Sequence, residues 1–348
     1  MVTPTYDPAR RATHASLYGT PDGGPGPLDV RPAASPQPPH ALHFVLQHQG
    51  RTGGSLVAAL LAQYHARYHE PRGVPTLGFD LAPLTPGFAR YGRAGALGVR
   101  RVVRQDRDGR WSFDHAMDEL VEVVYRAVTR RAAAARQTVL TVATAVQPGV
   151  PATAVTAIAD VGPAAFLAFF ECVADGAVGD ALAGVGVRVV LHAVTASGEA
   201  ISPAVAACYA RAVALPADTA AVIWRNDGPA HGIGGPNGPT AAPATHAARS
   251  ERALHVLVAA LAERYRVAGV VHVPALPGLG AEERDVPETA SHDIEHGPVT
   301  DALVDALPFA EALRAPWPDS PARHRLRAAR DGVFAQLARA LGATDLAT

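Results

Sequence analysis

The run "FVLQHQGRTGGS" at residues 44–55 places a glycine-bearing turn between an apolar, strand-like segment and a helix-like one. Such a turn does chemistry when successive backbone N–H groups point inward at a helix N-terminus, where aligned peptide dipoles supply roughly half a positive charge to an anion. Gly50, Gly53 and Gly54 supply the turn, and Ser55 stands where a hydroxyl would hold magnesium beside a phosphate. A phosphate loop also needs a lysine just before that serine, and this chain has Gly54 there. The same residues fit an ordinary strand-to-helix turn with Ser55 as the helix cap. Two carboxylates, Asp80 and Asp160, fall at the ends of strand-like runs, where they would support a metal or cap a following helix. Asn226, in "WRND", also ends such a run; its amide would read a base edge bidentately or tie its own turn before Gly228.

Other constellations compete. "SHDIEH" (291–296) contains H-x-x-E-H, and on a helix His292 and His296 would share a face with Glu295 beside a metal-bound water, the set of a metal-dependent hydrolase. Pro287 before it and Gly297 and Pro298 after it leave about two turns of helix, which favours an exposed segment instead. His231 would have to join from a distant loop that nothing in the sequence positions. Ser197 in "ASGEA" lacks the G-x-S-x-G elbow and reads as a helix cap. The arginine-rich run 100–110 meets no aromatic until Trp111 and reads as a solvated face, so there is no strong nucleic-acid signal.

The elements that must position these groups alternate. Apolar runs at 42–47, 76–80, 138–146, 154–160, 187–194, 219–224 and 267–274 have strand length. Between them, Leu56, Val57, Leu60, Leu61, Tyr64 and Tyr68, and later Phe113, Met117, Leu120, Val121, Val124 and Val128, recur at helical spacing; a last helix closes the chain around 320–341. The pattern predicts an α/β fold, a doubly wound and mostly parallel sheet with helices on both faces and ligands at the carboxyl ends of the strands. Residues 1–39 are dense in Pro and Gly and poor in large apolar groups, so they predict a disordered extension before a single domain spanning 40–348. Loop 226–245 is too long and glycine-rich for a plain connector.

Composition narrows the class. The 348 residues are 48% hydrophobic with a net charge of -1, enough for a real core and without a global basic field. Two well-separated cysteines, no apolar run long enough for a bilayer and no signal-like N-terminus predict a cytoplasmic protein without a membrane span. Every one of the 31 basic residues is arginine, an exchange that is harmless on a solvated surface but not in a pocket shaped for one ammonium.

Taken in order, these motifs resemble the TraL conjugal-transfer proteins, also met as MobD-type mobilisation proteins, relatives of the ParA/MinD group of deviant Walker P-loop ATPases. That family reads approximately F-V-L-Q-G-K-G-G-V-G-K-S and then L-A-Q-Y, against "FVLQHQGRTGGS" and "LAQY" here. "FDLAP" stands at its D-T-D-P, "IADVGPA" at its Walker B strand, "VIWRND" at V-V-W-L-N-P and "VPAL" at I-P-A-L. The similarity covers roughly residues 41–341, with an insertion near 130–153. It implies a P-loop NTPase-like fold of the SIMIBI/ParA type. It also implies an ATP and magnesium site lined by His48, Gln49, Gly50, Arg51, Thr52, Gly53, Gly54, Ser55 and Asn226, with Ser55 and Asp160 on the metal and Asp80 and Asp160 as catalytic carboxylates. Partners would be other transfer or mobilisation proteins, and a homodimer is open.

The departures from the family matter most. Gly54 replaces the lysine that contacts the β- and γ-phosphates, Gln49 replaces the second, signature lysine, His48 and Arg51 occupy glycine positions, and Ala82 replaces the second Asp of D-T-D-P. Losing a single electrostatic contact to a transition state costs on the order of 10²–10³ in rate. The expectation is therefore a degenerate Walker A motif and an accessory protein acting through protein contacts, with weak or no ATP hydrolysis. The rivals are a working Mg–ATPase, with Arg51 as a substitute phosphate clamp, and the metal-dependent hydrolase. If the site is merely damaged, lysine restored at Gly54 is the cheap rescue.

Overall fold

The computed structural model describes residues 40–50, 52–83, 87–89, 99–102, 104–105, 111–139, 154–174, 176–196, 200–211, 215–216, 218–227, 243–274 and 321–342. All of them fall in one compact unit, Pro38–Thr348. The extension 1–39, Arg51, Ser197, loop residues 228–242 with His231, and the HDIEH segment lie outside the described residues.

Seven short strands are β1 (His40–Leu46), β2 (Thr76–Asp80), β3 (Val99–Arg101), β6 (Val155–Asp160), β7 (Val187–Ala196), β8 (Ala220–Asn226) and β9 (Arg266–Val273). They form one sheet in the order β3-β2-β6-β1-β7-β8-β9, and every pairing in it is parallel. A separate antiparallel pair joins β4 (Arg104–Gln105) to β5 (Trp111–Ser112). A parallel strand must return by a crossover, so helices cover both faces, and strands buried on both sides read as near-continuous apolar runs. This is why "VTAIAD" and "AAVIW" carry little alternation. The fold is the doubly wound, mostly parallel α/β class that the sequence predicts.

Alternation within each strand divides the core. Leu42, Phe44 and Leu46 of β1 point to one face. There they meet α2 (Phe113–Val139), α3 (Phe166–Val173), α4 (Ala177–Gly184), α5 (Pro203–Arg211) and α6 (Pro243–Ala262). Phe113, Met117, Leu120, Val124 and Val128 give α2 its buried stripe. Val45, with Ile158, Val190, Val222 and Val271, points to the other face, under α1 (Gly54–Tyr68) and α7 (Pro321–Leu341). The strand expected over 138–146 is corrected at its start: Thr138 and Val139 are the last residues of α2, whose helical period carries on past Val128, and 140–146 lie outside the described residues.

The second face also buries polar groups. Trp224 Nε1 donates to His192 Nδ1 at 2.9 Å, and His192 Nε2 lies 2.9 Å from His43 Nδ1. With Nδ1 of His192 accepting, its Nε2 is the nitrogen left to donate to His43. The His43 and His65 rings are 4.9 Å apart, and His43 Nε2 and both ring nitrogens of His65 are buried without a hydrogen-bond partner. Burial is the main cause that holds all three imidazoles neutral, His43 and His65 well below the ordinary value and His192 at about 3. At the edge, the Gln336 amide of α7 accepts from His272 N–H at 2.7 Å and donates to His272 C=O at 3.3 Å, so a side chain takes the place of a further strand.

Candidate functional site

The loop after β1 is organised by one side chain. Gln47 is buried, and its Oε1 accepts the Gly54 backbone N–H at 3.1 Å. The Thr52 hydroxyl lies 3.1 Å from the same Oε1 and 3.2 Å from Gln49 C=O, so its one proton serves either acceptor. Gly53 has φ +92 and is the N-cap of α1, with its C=O accepting Val57 N–H at 2.9 Å. Only glycine takes that left-handed conformation without cost, and it has no side chain to satisfy the first-turn donors. Gln47 supplies that acceptor from outside the helix.

Asn226, at the end of β8, fastens the loop from behind: its Nδ2 donates to Thr52 C=O at 3.1 Å. A Cβ at Gly53 would fall inside van der Waals contact with that nitrogen, a second reason for glycine there. The amide thus grips a neighbouring loop 174 residues away in sequence. His48 sits half-buried with its ring edge-on to Phe166 at 6.0 Å, while Gln49 and Gly50 are exposed.

Ser55 is the second residue of α1 and does not cap it. Its Oγ donates to Asp160 Oδ2 at 2.6 Å, which corrects the capping alternative. Asp160 ends β6 directly opposite Asp80 at the end of β2, so two strands 80 residues apart deliver paired carboxylates. The two are used differently. Asp80 Oδ1 accepts Ala82 N–H at 3.0 Å and Oδ2 accepts Ala89 N–H at 2.7 Å, which anchors the segment leaving β2. Burial raises the Asp80 pKa, and the backbone donors and Arg101 oppose that. Asp160 is fully buried and its Oδ1 has no partner. Burial pushes its carboxyl up to about 7, against the Ser55 hydrogen bond and with help from the Asp80 charge.

Ser55 Oγ and the Asp160 carboxylate are oxygen ligands of the kind magnesium takes, and the unpaired Oδ1 is free for such a role. However, Gly87 packs directly on Ser55: a Cβ at Gly87 would overlap both Oγ and Cβ of the serine. The phosphate position fits still less well. A Cβ at Gly54 would lie 2.5 Å from Gln47 Cδ and 2.7 Å from both amide heteroatoms, so the space in front of the Gly54 N–H belongs to Gln47. A lysine at position 54 is therefore not a simple restoration: it must first evict the carboxamide from two buried hydrogen bonds.

Two proteins named TraL from Escherichia coli align with this chain, one 26% identical over 298 residues and the other 27% over 296. Each alignment covers 85% of this chain and 96% of the relative. The chain is similar to these two proteins over most of its length. No protein-family profile matches it. Among solved structures, a nucleotide-binding protein from Archaeoglobus fulgidus in complex with ADP superposes with a TM-score of 0.31 at 15% identity, over 67% of this chain and 81% of its own. Among the described residues of the chain, no helix is long and apolar enough to cross a membrane, and no three His, Cys, Asp or Glu side chains form a metal-holding group.

The sequence points to the loop, Ser55, Asp80, Asp160 and Asn226, and the fold gathers these, Arg51 aside, at the carboxyl end of the central strands. It passes over Gln47 and Gly87. A polar side chain closing an apolar strand, and a glutamine at the same place in the family pattern, were the signs of Gln47; for Gly87 there was none.

Proposed function

We propose that this TraL-like chain is an accessory protein of conjugal transfer and plasmid mobilisation that keeps the architecture of a nucleotide switch and acts through protein contacts, with weak or no ATP hydrolysis. The observation that supports this reading is the filled cradle: Gly54 where a lysine would neutralise phosphate charge, and the neutral Gln47 amide lying over its N–H. Phosphoryl transfer draws on positioning and charge neutralisation. The loop 47–55 brings no lysine to that task, and its one arginine, Arg51, lies outside the described residues. Other transfer proteins, and a second copy of the chain, are the partners, in the cytoplasm.

The test is a mating assay in a donor lacking the gene, paired with a hydrolysis assay on the purified chain. Wild type, Ser55→Ala and Asp160→Asn should all support transfer, and ATP turnover should stay at background in all three. Turnover above background that Asp160→Asn abolishes would sink the reading. A second reading, a weak Mg–ATPase, is favoured by the preserved Ser55–Asp160 pair and the unpaired Oδ1. Its mark is a thermal shift with Mg–ATP, since a ligand at 100 times its Kd adds roughly 2.7 kcal/mol. The HDIEH hydrolase reading is tested by metal analysis of the purified protein.

A further inference from the structure

We propose that the Gln47 carboxamide is an internal ligand of the loop, an autoinhibitory contact that competes with phosphate for the Gly54 N–H and the Thr52 hydroxyl. This deepens the reading of the loop as a degenerate phosphate cradle and rests on it. Four observations carry it. First, Gln47 Oε1 stands 3.1 Å from both donors, so a neutral amide oxygen does what a phosphate oxygen does at a helix N-terminus. Second, Gln47 is only 6% exposed, which makes the contact a buried fixture and not a surface rotamer. Third, Gly54 is the residue that makes room for it, because any Cβ there would meet the amide at 2.5–2.7 Å. The family pattern also has glutamine at position 47, beside its lysine, so it is the glycine at 54 that admits the amide here. Fourth, the loop is held in this closed form from behind by Asn226 Nδ2 on Thr52 C=O.

An independent sign says the site can take a ligand once emptied. Asp160 Oδ1 is fully buried and unpaired beside Ser55, at a cost that a purely structural turn gives no reason to bear. Removing the carboxamide frees the Gly54 N–H and leaves a cavity lined by donors. Removing only the glycine, by Gly54→Lys, sets the new side chain against the amide and leaves the Gln47 oxygen in competition with the incoming phosphate.

Isothermal titration of the full chain with inorganic pyrophosphate, and separately with Mg–ADP, tests the competition. Gln47→Ala should bind pyrophosphate at least ten times more tightly than wild type. Gln47→Glu, which keeps the acceptor oxygen in place, should bind no more tightly than wild type. Gly54→Lys should bind Mg–ADP at least ten times more weakly than Gln47→Ala/Gly54→Lys. Should Gln47→Ala not fold, Gln47→Asn replaces it, its amide one methylene short of Gly54. Equal affinity of wild type and the shortened variant, absence of binding in both included, overturns the proposal, as does tighter binding by Gln47→Glu or a Gly54→Lys single variant that matches the double. Micromolar Mg–ADP binding by wild type would instead overturn the proposed function, while the ratio between Gln47→Ala and wild type still measures the competition.

Discussion

Asp160 bears a charge at a price that its own hydrogen bond does not cover. Its carboxyl is held at about 7 chiefly by burial, so near neutral pH the folded chain keeps a proton that the unfolded chain, titrating near 3.8, has lost. A folded pKa above the unfolded one means that stability from this group is complete in acid and is lost as pH rises from about 4 through about 7. Asp160→Asn keeps an acceptor for Ser55 and removes the titration. Thermal unfolding should therefore show the variant more stable than wild type at pH 8, by roughly 1–3 kcal/mol, with the gap closing at pH 5. A gap that is constant with pH would mean that Asp160 is not the buried acid its surroundings make it. Gly53 is constrained differently. Alanine at φ +92 costs roughly 1–2 kcal/mol by its conformation alone and also presses on Asn226 Nδ2. Urea titration should find Gly53→Ala more damaging in wild type than in an Asn226→Ala background, the difference being the steric share.

Between α1 and the sheet, three imidazoles work as a group. His43 from β1, His192 from β7 and His65 from α1 are neutral in the folded protein because burial excludes the cation, and each would accept a proton near 6.5 once unfolded. The groups facing them include His69, Arg188 and Trp224 Nε1, none of which is anionic. A folded pKa below the unfolded one gives stability that is present above about 6.5 and drains away as pH falls, by about 1.4 kcal/mol per pH unit for each uncompensated proton. Asp160 pulls in the opposite direction over about 4–7, and Asp80, also raised by burial, pulls the same way as Asp160. The expected stability profile is shallow from pH 8 to 6.5 and declines below it. Asp160→Asn should steepen the acid limb, and His65→Leu, which replaces two unpartnered ring nitrogens with a methyl pair, should flatten it. An acid limb unchanged by both substitutions would remove the histidine cluster from the explanation.

At the scale of the whole molecule, the all-parallel sheet lies between two separate apolar layers, and the one under α1 and α7 carries the site. Leu337 of α7 is fully buried against β9 and its neighbours, so Leu337→Ala should cost roughly 2–5 kcal/mol in urea unfolding, far from the loop. Because that strand is also edged by Gln336, the loss should appear as faster amide exchange at β9 than at β1; equal protection of the two would argue against a weaker edge. The sequence alone determined the order and type of the main sheet strands other than β3, though not the helical end of α2, since burial on both faces leaves continuous apolar runs in "VTAIAD" and "VRVVLHAV" that need no knowledge of contacts. It also determined the absence of a lysine before Ser55 and placed Asp80, Asp160 and Asn226 at strand ends. Only the tertiary structure decided what those groups do. Asp80 and Asp160 become neighbours because β2 pairs with β6, Asn226 reaches Thr52 because β8 ends beside the loop, and Gln47 turns inward over Gly54. Periodicity reports which face a side chain takes on its own element, while hydrogen-bond partners depend on which elements lie side by side, a choice made by packing across the whole sheet.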